Sequence, residues 1–333
     1  MFIVHSYPLA VILCFITMLC WGSWANTQKL AAKSWRYELF YWDYVIGIVL
    51  FSLLIAFTMG SIGNEGRPFL EDIAQVSPKA VLSILLGGVI FNASNILLSA
   101  STSIAGLAVA FPLGVGISLA LGTAINYIGA PKGDPVILFT GVALIVCAII
   151  CNGIASGKVE RKKEDSSKGI VLAVVAGTLM SFFYRFVAAA MDLDNFVDPA
   201  QGKATPYTAI VILALGIFAS NLIFNTIVMK KPFIGEPVPY RAYFQGSFKT
   251  HMVGMLGGAI WCLGTALSYI ASGKAGAAIS YALGQGAPMV AAIWGVFVWK
   301  EFKGARANVY TLLAVMFILF IAGLGFIILS GGN

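Results

Sequence analysis

Ten apolar runs, each long enough to cross a lipid bilayer as one helix, divide this chain. A hydrocarbon core of about 30 Å needs about 20 apolar residues in helical conformation. Because lipid offers no hydrogen-bond partners to the backbone, only helices and closed barrels can cross it. We therefore predict an all-α polytopic membrane protein with ten transmembrane helices. The predicted spans are residues 8–27, 38–59, 79–100, 103–128, 135–155, 169–190, 206–229, 250–271, 275–298 and 307–330.

The composition fits a membrane protein and argues against a nucleic-acid-binding protein. Of the 333 residues, 59% are hydrophobic and 11% are charged, whereas soluble domains carry about 25% charged residues. The net charge of +7 comes almost entirely from Lys and Arg in the predicted loops, so it marks loops and does not indicate nucleic acid. This composition implies that the protein is embedded in a lipid bilayer. The sequence does not specify the oligomeric state.

A repeat with an offset of 170 residues relates the two halves of the chain. Residues 87–116 and 257–286 match without a gap, and ten of the thirty positions are identical. We predict two five-helix repeats, residues 1–155 and 169–333, joined by a charged linker at 156–168. Because five is odd, the second repeat is inverted relative to the first. Secondary transporters with this design bind their substrate where the repeats meet.

The distribution of basic residues predicts the orientation in the membrane. Fifteen Lys and Arg residues fall in the linker and in the loops on its side, five fall on the opposite side, and Arg185 lies within a span. Cytoplasmic loops of membrane proteins carry the excess of Lys and Arg. We therefore expect a multi-pass protein of the cytoplasmic (inner) membrane, with the linker in the cytoplasm and both termini outside.

Polar side chains within the spans are candidates for substrate contacts, because polar groups in lipid are costly and often functional. Asn92 and Asn95 lie about one turn apart near the middle of the third span, and Gln285 lies near the middle of the ninth. An amide can both donate hydrogen bonds to a ligand and accept them. For the two asparagines, the alternative role is hydrogen bonding between helices. Gln285 lies between two glycines, and the alternative role of those glycines is close packing of helices.

Glycine and proline occur at corresponding positions of two spans. Residues 111–116 (FPLGVG) lie in the fourth span and residues 284–288 (GQGAP) lie in the ninth. Paired interruptions of this kind mark helices that unwind around a transport site. We therefore predict discontinuous helices at both positions, with Tyr281 and Gln285 beside the break in the ninth span.

Three aromatic residues are candidates for stacking on a flat ligand. Trp21 in the first span and Tyr184 in the sixth correspond in the repeat, and Trp261 lies in the middle of the eighth span. Trp24 is expected instead in the aromatic belt at the membrane interface. The candidate substrate-contacting residues are therefore Trp21, Asn92, Asn95, Tyr184, Trp261, Tyr281 and Gln285.

Charged residues in the spans bear on energy coupling. Asp43 and Glu38 open the second span beside aromatic residues, where a carboxylate can carry a proton. The alternative is that these acids complement the helix dipole. Arg185 either extends outward to Asp192 or Asp194, or binds an anionic or carbonyl-rich substrate.

The sequence gives no indication of a metal site, a cofactor or the active site of a membrane-embedded enzyme. The two histidines, His5 and His251, fall at segment ends, and the five cysteines lie in apolar spans without a CxxC pair. Such an enzyme needs a nucleophile beside a base, and a metal site needs clustered ligands.

Four short motifs follow one another in the first repeat. They are residues 41–44 (YWDY), 57–63 (FTMGSIG), 87–88 (GG) with Asn95 after it, and 122–127 (GTAINY). These motifs resemble the ureide permease family of the drug/metabolite transporter superfamily. That family carries Y-x-D-Y, L-T-x-G-x-I-G, G-G followed by Asn, and G-T-x-x-N-Y in the same order. The resemblance covers the second to fifth spans and is weaker in the second half.

The resemblance implies a ten-helix, proton-coupled importer of ureides and oxo-purines or pyrimidines, such as allantoin, xanthine and uracil. Relatives of the family include glucose/ribose and rhamnose porters, so a sugar is an alternative substrate. Plant members carry a long central cytosolic loop with a nucleotide-type motif. The linker of this chain is short and has no G-x-x-x-x-G-K-[ST] run, so the resemblance does not extend to ATP use.

We therefore predict a secondary active transporter that couples protons to the uptake of a small neutral heterocycle by alternating access. The heterocycle is a nucleobase, a ureide or a nucleoside. A proton-coupled sugar porter and a metabolite exporter of the same fold are the alternatives.

Overall fold

The computed structural model describes residues 1–31, 35–159 and 166–332, and the helices among these residues confirm an all-α polytopic membrane protein. Within these described ranges, ten helical segments are long and apolar enough to cross a membrane. In chain order the helices are α1 (Tyr7–Ala31), α2 (Tyr37–Phe57), α3 (Phe69–Gln75), α4 (Pro78–Ala105), α5 (Leu107–Gly129), α6 (Pro135–Gly157), α7 (Ser166–Ala190), α8 (Pro206–Lys230), α9 (Tyr240–Tyr243), α10 (Phe248–Ala275), α11 (Ala277–Gly284), α12 (Ala287–Ile293) and α13 (Ala307–Ser330). A π-helical turn at Trp294–Val298 follows α12 and completes the ninth span.

The ends of the ten spans agree with the sequence analysis to within a few residues. The largest difference is in the third span, because α4 continues to Ala105 and Gly106 then separates it from α5. Gly106 has a φ of 91°, and its repeat mate Gly276 has a φ of 82° between α10 and α11. Gly106 lies within an apolar stretch, whereas Lys274 comes two residues before Gly276, so the local signal common to both positions is a glycine that tolerates positive φ.

The predicted interruption is present in the ninth span, and the prediction for the fourth span is wrong. α11 ends at Gly284 and α12 begins at Ala287, with Gln285 in the turn between them. Pro288 has no N–H, so it cannot continue the hydrogen bonding of α11. In contrast, α5 continues through Pro112, which lies inside the helix. Membrane helices tolerate an interior proline where their surroundings satisfy the carbonyl group that it leaves unpaired.

Two helix crossings support the internal repeat. Gly88 on α4 lies against α8, where an added Cβ would be 2.5 Å from the carbonyl oxygen of Leu213. Its repeat mate Gly258 lies on α10 against α2, where an added Cβ would clash with the carbonyl oxygen of Tyr44. Small residues let helix backbones approach this closely. The crossing of α4 with α8 thus matches that of α10 with α2, while the inverted orientation of the repeats stays a prediction.

Two further predictions concern the connection between the repeats. α6 ends at Gly157 and α7 begins at Ser166, and residues 160–165 of the predicted linker lie outside the described residues. The repeat boundaries at 155 and 169 therefore stay predictions. The side of the bundle on which α6 ends is called the linker side below, and the opposite side is called the termini side.

Candidate functional site

A small cavity lies inside the helix bundle, between helices of both predicted repeats. Its volume is about 30 Å³, which suffices for one or two water molecules. In the described conformation the cavity is therefore too small for a molecule the size of a heterocycle. The lining residues are Trp21, Trp24, Phe91, Asn95, Leu98, Phe111, Val115, Met180, Phe183, Trp261, Gln285 and Ala287.

Aromatic rings form much of the cavity wall. The indole of Trp261 stacks on the ring of its repeat mate Phe91, with centroids 4.1 Å apart. Trp24 packs against Tyr44 at a centroid distance of 4.9 Å and is 4% exposed. The prediction that Trp24 belongs to an interfacial belt is therefore wrong. α1 continues to Ala31 rather than ending near residue 27, so Trp24 lies deeper in the bundle.

Two amide side chains supply polar groups of the wall. Asn95 donates a hydrogen bond from Nδ2 to the Tyr41 hydroxyl (3.3 Å), and Gln285 donates from Nε2 to Ser118 Oγ (3.3 Å). Each amide keeps an oxygen and a second N–H with which it can bind a ligand. The lining residues include no charged side chain, so the cavity suits a neutral ligand.

Asn92, a predicted substrate contact, does not line the cavity. It is fully buried and donates from Nδ2 to Ser220 Oγ on α8 (2.9 Å). This contact is the interhelical hydrogen bond that the sequence left as the alternative. Asn92 and Asn95 face different neighbours, because three residues advance a helix by about 300° rather than by a full turn.

Tyr184 and Tyr281 form a layer beside the cavity, toward the termini side. Their rings contact each other edge to face, with centroids 5.2 Å apart, and both are fully buried. Tyr281 is hydrogen-bonded to Ser118, the residue that Gln285 also contacts. The Tyr184 hydroxyl lies 2.9 Å from Ser268 Oγ. These two residues, called the tyrosine layer below, adjoin the cavity without lining it.

Asp43 lies in a cluster of hydrogen-bond donors at the linker end of α2. Its carboxylate accepts hydrogen bonds from Trp35 Nε1 (3.0 Å) and from the Tyr243 hydroxyl (2.6 Å), and it lies 2.8 Å from His251 Nδ1. Burial and the nearby carboxylate raise the pKa of Tyr243, so its hydroxyl keeps its proton and donates. Among the ion pairs of the described residues, Asp43 pairs with His251.

Sequence reasoning missed His251 and Tyr243. His251 was assigned no role at its segment end, yet it lies in the first turn of α10 and faces Asp43. Gly254 on the same helix leaves room for the Asp43 side chain, which an added Cβ would displace. The spacing of His251 and Gly254 on α10 is a weak sequence signal for the close contact between this helix and Asp43. Tyr243 belongs to a four-residue helix, which is too short to show a helical periodicity of apolar residues in the sequence.

Glu38 has a different environment. Arg36 binds both of its carboxylate oxygens, with Nη2–Oε1 at 2.6 Å and Nε–Oε2 at 3.2 Å. The Glu38 side chain is fully buried. A carboxylate that is held by two charge-assisted hydrogen bonds from one arginine is poorly suited to exchange a proton. Of the two candidate acids, Asp43 has the more suitable geometry.

Arg185 lines an open vestibule on the termini side. The charged residues that line this vestibule are Lys132, Arg185, Asp192, Asp194 and Lys203. An aspartate partner was one of the two roles that the sequence left open for Arg185. Among the ion pairs of the described residues, none joins Arg185 to Asp192 or Asp194.

On the linker side, contacts between α1 and the end of the ninth span close the bundle. Lys29 forms an ion pair with Glu301, and its ammonium lies 4.6 Å from the ring centroid of Trp299. Trp299 donates a hydrogen bond from Nε1 to Asn26 Oδ1 (2.6 Å). These four residues are called the latch below. Because they join the first span to the ninth, separation of these two spans on this side would break them.

The arrangement offers stacking and hydrogen bonds rather than metal coordination. Within residues 1–31, 35–159 and 166–332, no three His, Cys, Asp or Glu side chains are grouped so that they could hold a metal ion. The partners of Asp43 are donors on aromatic side chains and on one imidazole.

Comparison with known proteins decides the family. The family model of ureide permeases matches residues 40–168 and 155–330, which together cover most of the chain. The chain belongs to the ureide permease family. Permeases are transporters, so this permease is a membrane transport protein and not an enzyme.

Several plant proteins are similar to this permease. Ureide permease 1 of Arabidopsis thaliana is 23% identical over 393 aligned positions that cover all of both chains. Ureide permease 5 of the same plant is 24% identical, over all of this chain and 96% of its own. Probable ureide permease A3 of Vigna unguiculata is 31% identical over 153 residues, 44% of this chain and 40% of its own.

One solved crystal structure is similar over almost the whole chain. It covers 95% of this permease and 97% of its own chain, with 15% identity and a TM-score of 0.56. At this identity, the similarity shows a shared fold alone.

The motifs that resemble the family place residues at the candidate site of this permease. Tyr41 of the first motif contacts Asn95 of the third, and Asp43 of the first motif accepts the cluster of hydrogen bonds at the linker end of α2. Gly122 of the fourth motif lies against the ring of Tyr281, with which an added Cβ would clash. Three of the four motifs therefore contribute residues to the cavity wall, to its surroundings or to the cluster around Asp43.

Proposed function

We propose that this permease takes up a small neutral heterocycle together with protons, by alternating access across the cytoplasmic membrane. The central cavity carries this proposal, because its aromatic wall and two amides suit a flat, polar and uncharged ring. The names of the similar plant proteins favour a ureide. The excess of basic residues in the linker and nearby loops favours a cytoplasmic position for the linker side.

The substrate contacts follow from the cavity wall. A bound ring stacks on Trp261 and Trp24, while Asn95 and Gln285 bind its polar edge. Asn95 lies on α4 in the first predicted repeat, and Gln285 lies beside the break of the ninth span in the second. A ligand that both amides bind is held by both repeats, which is the placement that alternating access requires.

The proton is carried by Asp43 with His251 as its partner. Both side chains are titratable, they are in hydrogen-bond contact, and their other partners in the cluster are neutral donors. Asp43 precedes Tyr44, which packs against Trp24 of the cavity wall. A change in the hydrogen bonds of Asp43 thus reaches the substrate site through adjacent residues of α2. Glu38, the second candidate, serves as the structural partner of Arg36.

Two closures separate the cavity from the two sides of the membrane. The tyrosine layer lies toward the termini side, and the latch lies on the linker side. In the described conformation both are intact. Alternating access opens one of them at a time, by movement of one five-helix unit against the other.

Uptake into proteoliposomes tests the proposal. Radiolabelled uracil is supplied under an inward proton gradient, with unlabelled allantoin, xanthine, guanosine, glucose and rhamnose as competitors. We expect uracil to accumulate, allantoin and xanthine to compete, and an uncoupler to abolish accumulation. Competition by glucose or rhamnose alone would make a sugar the substrate, and accumulation that survives the uncoupler would exclude proton coupling.

A further inference from the structure

The vestibule on the termini side is much larger than the central cavity. Its volume is about 630 Å³, which lies within the range of small-molecule sites, about 300–1,000 Å³. Three of its charged side chains are basic and two are acidic, so it carries a small positive excess. A substrate-sized molecule therefore fits in the vestibule in the conformation in which the central cavity holds only water.

The vestibule leads to the central cavity through the tyrosine layer. On two spans, residues spaced by four lie first in the vestibule, then in the layer, and finally in the cavity wall. Eight residues of helix correspond to about 12 Å, so the two spaces are separated by little more than the tyrosine rings. In this order the residues are Ala188, Tyr184 and Met180 on α7, and Ala277, Tyr281 and Gln285 on the ninth span.

Among the described residues, Arg185 is the vestibule cation with the most donors available to a ligand. Lys132 donates to the Gly273 carbonyl oxygen (3.0 Å), and Lys203 donates to the Ala189 carbonyl oxygen (2.7 Å). Among the described residues, the Arg185 guanidinium forms no ion pair. A guanidinium presents its N–H groups as a planar fork that matches paired oxygen acceptors. It also directly follows Tyr184 of the layer.

We propose that the vestibule is an entry site, in which Arg185 binds the carbonyl oxygens of the substrate before the tyrosine layer opens. The inference rests on the proposed function and adds a second binding position to it. The ligand class is a flat molecule with urea-type or imide carbonyls. Its N–H groups are donors for Asp192 and Asp194, which line the same vestibule.

Gly129 offers a matched probe of the arginine. An added Cβ at Gly129 would clash with the Arg185 guanidinium, so Gly129→Ala moves the cation without removing its charge. Gly129 is also the last residue of α5, and a cation at a helix C-terminus interacts favourably with the dipole. The structural alternative is therefore that Arg185 merely stabilises this helix end.

Transport kinetics measured separately from the two faces distinguish these roles. Intact cells expose one face and inverted membrane vesicles expose the other, and protease treatment of an N-terminal tag identifies the termini side. For allantoin supplied on the termini side, we expect Arg185→Gln to raise the half-saturating concentration about tenfold or more, the usual effect of losing a charged hydrogen bond. The maximal rate and the half-saturation from the linker side stay unchanged. Arg185→Lys gives an intermediate value, and Gly129→Ala acts in the same direction.

Equal increases from both faces, or no increase from either, would overturn the entry site, because a residue that only supports the fold acts on both faces alike. Calorimetric titration of allantoin into purified Trp261→Ala protein separates this failure from that of the proposed function. The entry site predicts residual binding that a second substitution, Arg185→Gln, removes. Such residual binding, together with a wild-type protein that transports neither uracil nor allantoin, would refute the proposed function alone. Transport without any residual binding would refute the entry site alone.

Discussion

At the scale of single residues, two buried carboxylates on the same helix have opposite environments. Glu38 is bound by an arginine through both oxygens, so its charge has a permanent partner. Asp43 is bound by an indole, a phenol and an imidazole. The proposed proton chemistry depends on this difference, because only a carboxylate without a fixed cation can gain and lose a proton at small cost.

Replacement of the proposed proton carrier separates coupling from binding. Asp43→Asn keeps the shape of the side chain but cannot carry a proton, so we expect accumulation under a proton gradient to be lost. Exchange of internal for external substrate, which needs no net proton movement, should remain. Asp43→Glu retains a titratable group and is the matched control. Accumulation by Asp43→Asn at the wild-type level would exclude this role.

The aromatic wall makes a second prediction at the same scale. Trp261→Ala removes the ring that stacks on Phe91 and, in our proposal, on the substrate. We expect a loss of more than about 2 kcal/mol of binding free energy, the scale of an interface hot spot, which corresponds to an increase of about 30-fold in the half-saturating concentration. Trp261→Phe, which keeps an aromatic face, should lose much less.

Trp42→Ala is the control for this substitution. Trp42 is buried and donates a hydrogen bond to the sulfur of Met229, but it does not line the cavity. It should lower protein stability without a comparable change in half-saturation. Equal effects of the two alanine substitutions on half-saturation would show that Trp261 acts through the fold and not on the substrate.

At the scale of helices, glycines that let backbones approach set the crossings of the bundle. Gly258→Ala places a Cβ against the Tyr44 carbonyl oxygen, whereas Gly325→Ala, toward the C-terminal end of α13, meets nothing within 4 Å. Overpacking costs about 1–3 kcal/mol. We therefore expect a lower thermal unfolding temperature in detergent for Gly258→Ala and no decrease for Gly325→Ala. Equal temperatures for the two variants would contradict the close crossing of α2 and α10.

The latch makes a prediction about exposure on the linker side. Glu301→Gln weakens the ion pair that joins α1 to the end of the ninth span, so the linker side should open more often. Ala292 lies on α12 and lines a small pocket that also includes Trp299 and Glu301. In a variant without the five native cysteines, Ala292→Cys should react faster with a charged thiol reagent from the linker side when Glu301→Gln is present.

The reverse ion pair, made by Lys29→Glu with Glu301→Lys, is the control for the latch. It should restore slow labelling of Ala292→Cys, because the pair forms again with its charges exchanged. If Glu301→Gln leaves the labelling rate unchanged, the latch does not hold this side closed.

Sequence reasoning at the scale of elements succeeds where the signal is local. Ten apolar runs predict ten spans, and Gly286 with Pro288 predicts the break in the ninth, because both depend on the residues of the segment itself. The uninterrupted course of α5 through Pro112 is not specified by the segment alone, because membrane helices tolerate proline where their surroundings satisfy the freed carbonyl group. The start of α5 after Gly106, which has a positive φ, is likewise not indicated by apolarity alone.

At the scale of the whole molecule, the cavity brings together residues from six spans of both predicted repeats. Trp21, Asn95, Trp261 and Gln285 could be predicted because each is polar or aromatic at mid-depth in a span. Their assembly also explains why Asn92 was misjudged, since depth does not specify which neighbour a side chain faces. His251 could not be found in this way, because its candidate role depends on its contact with Asp43, which lies 208 positions away in sequence.

Proton movement driven by the substrate is the most direct test of the central claim. Proteoliposomes with equal pH on both sides and an internal pH indicator receive uracil or allantoin from outside. Our account predicts that the lumen becomes more acidic with either ligand in the wild-type protein, that Asp43→Asn abolishes this change, and that Trp261→Ala shifts it to ligand concentrations about 30-fold higher. Entry of radiolabelled uracil without acidification, or acidification that rhamnose produces and uracil does not, would contradict it.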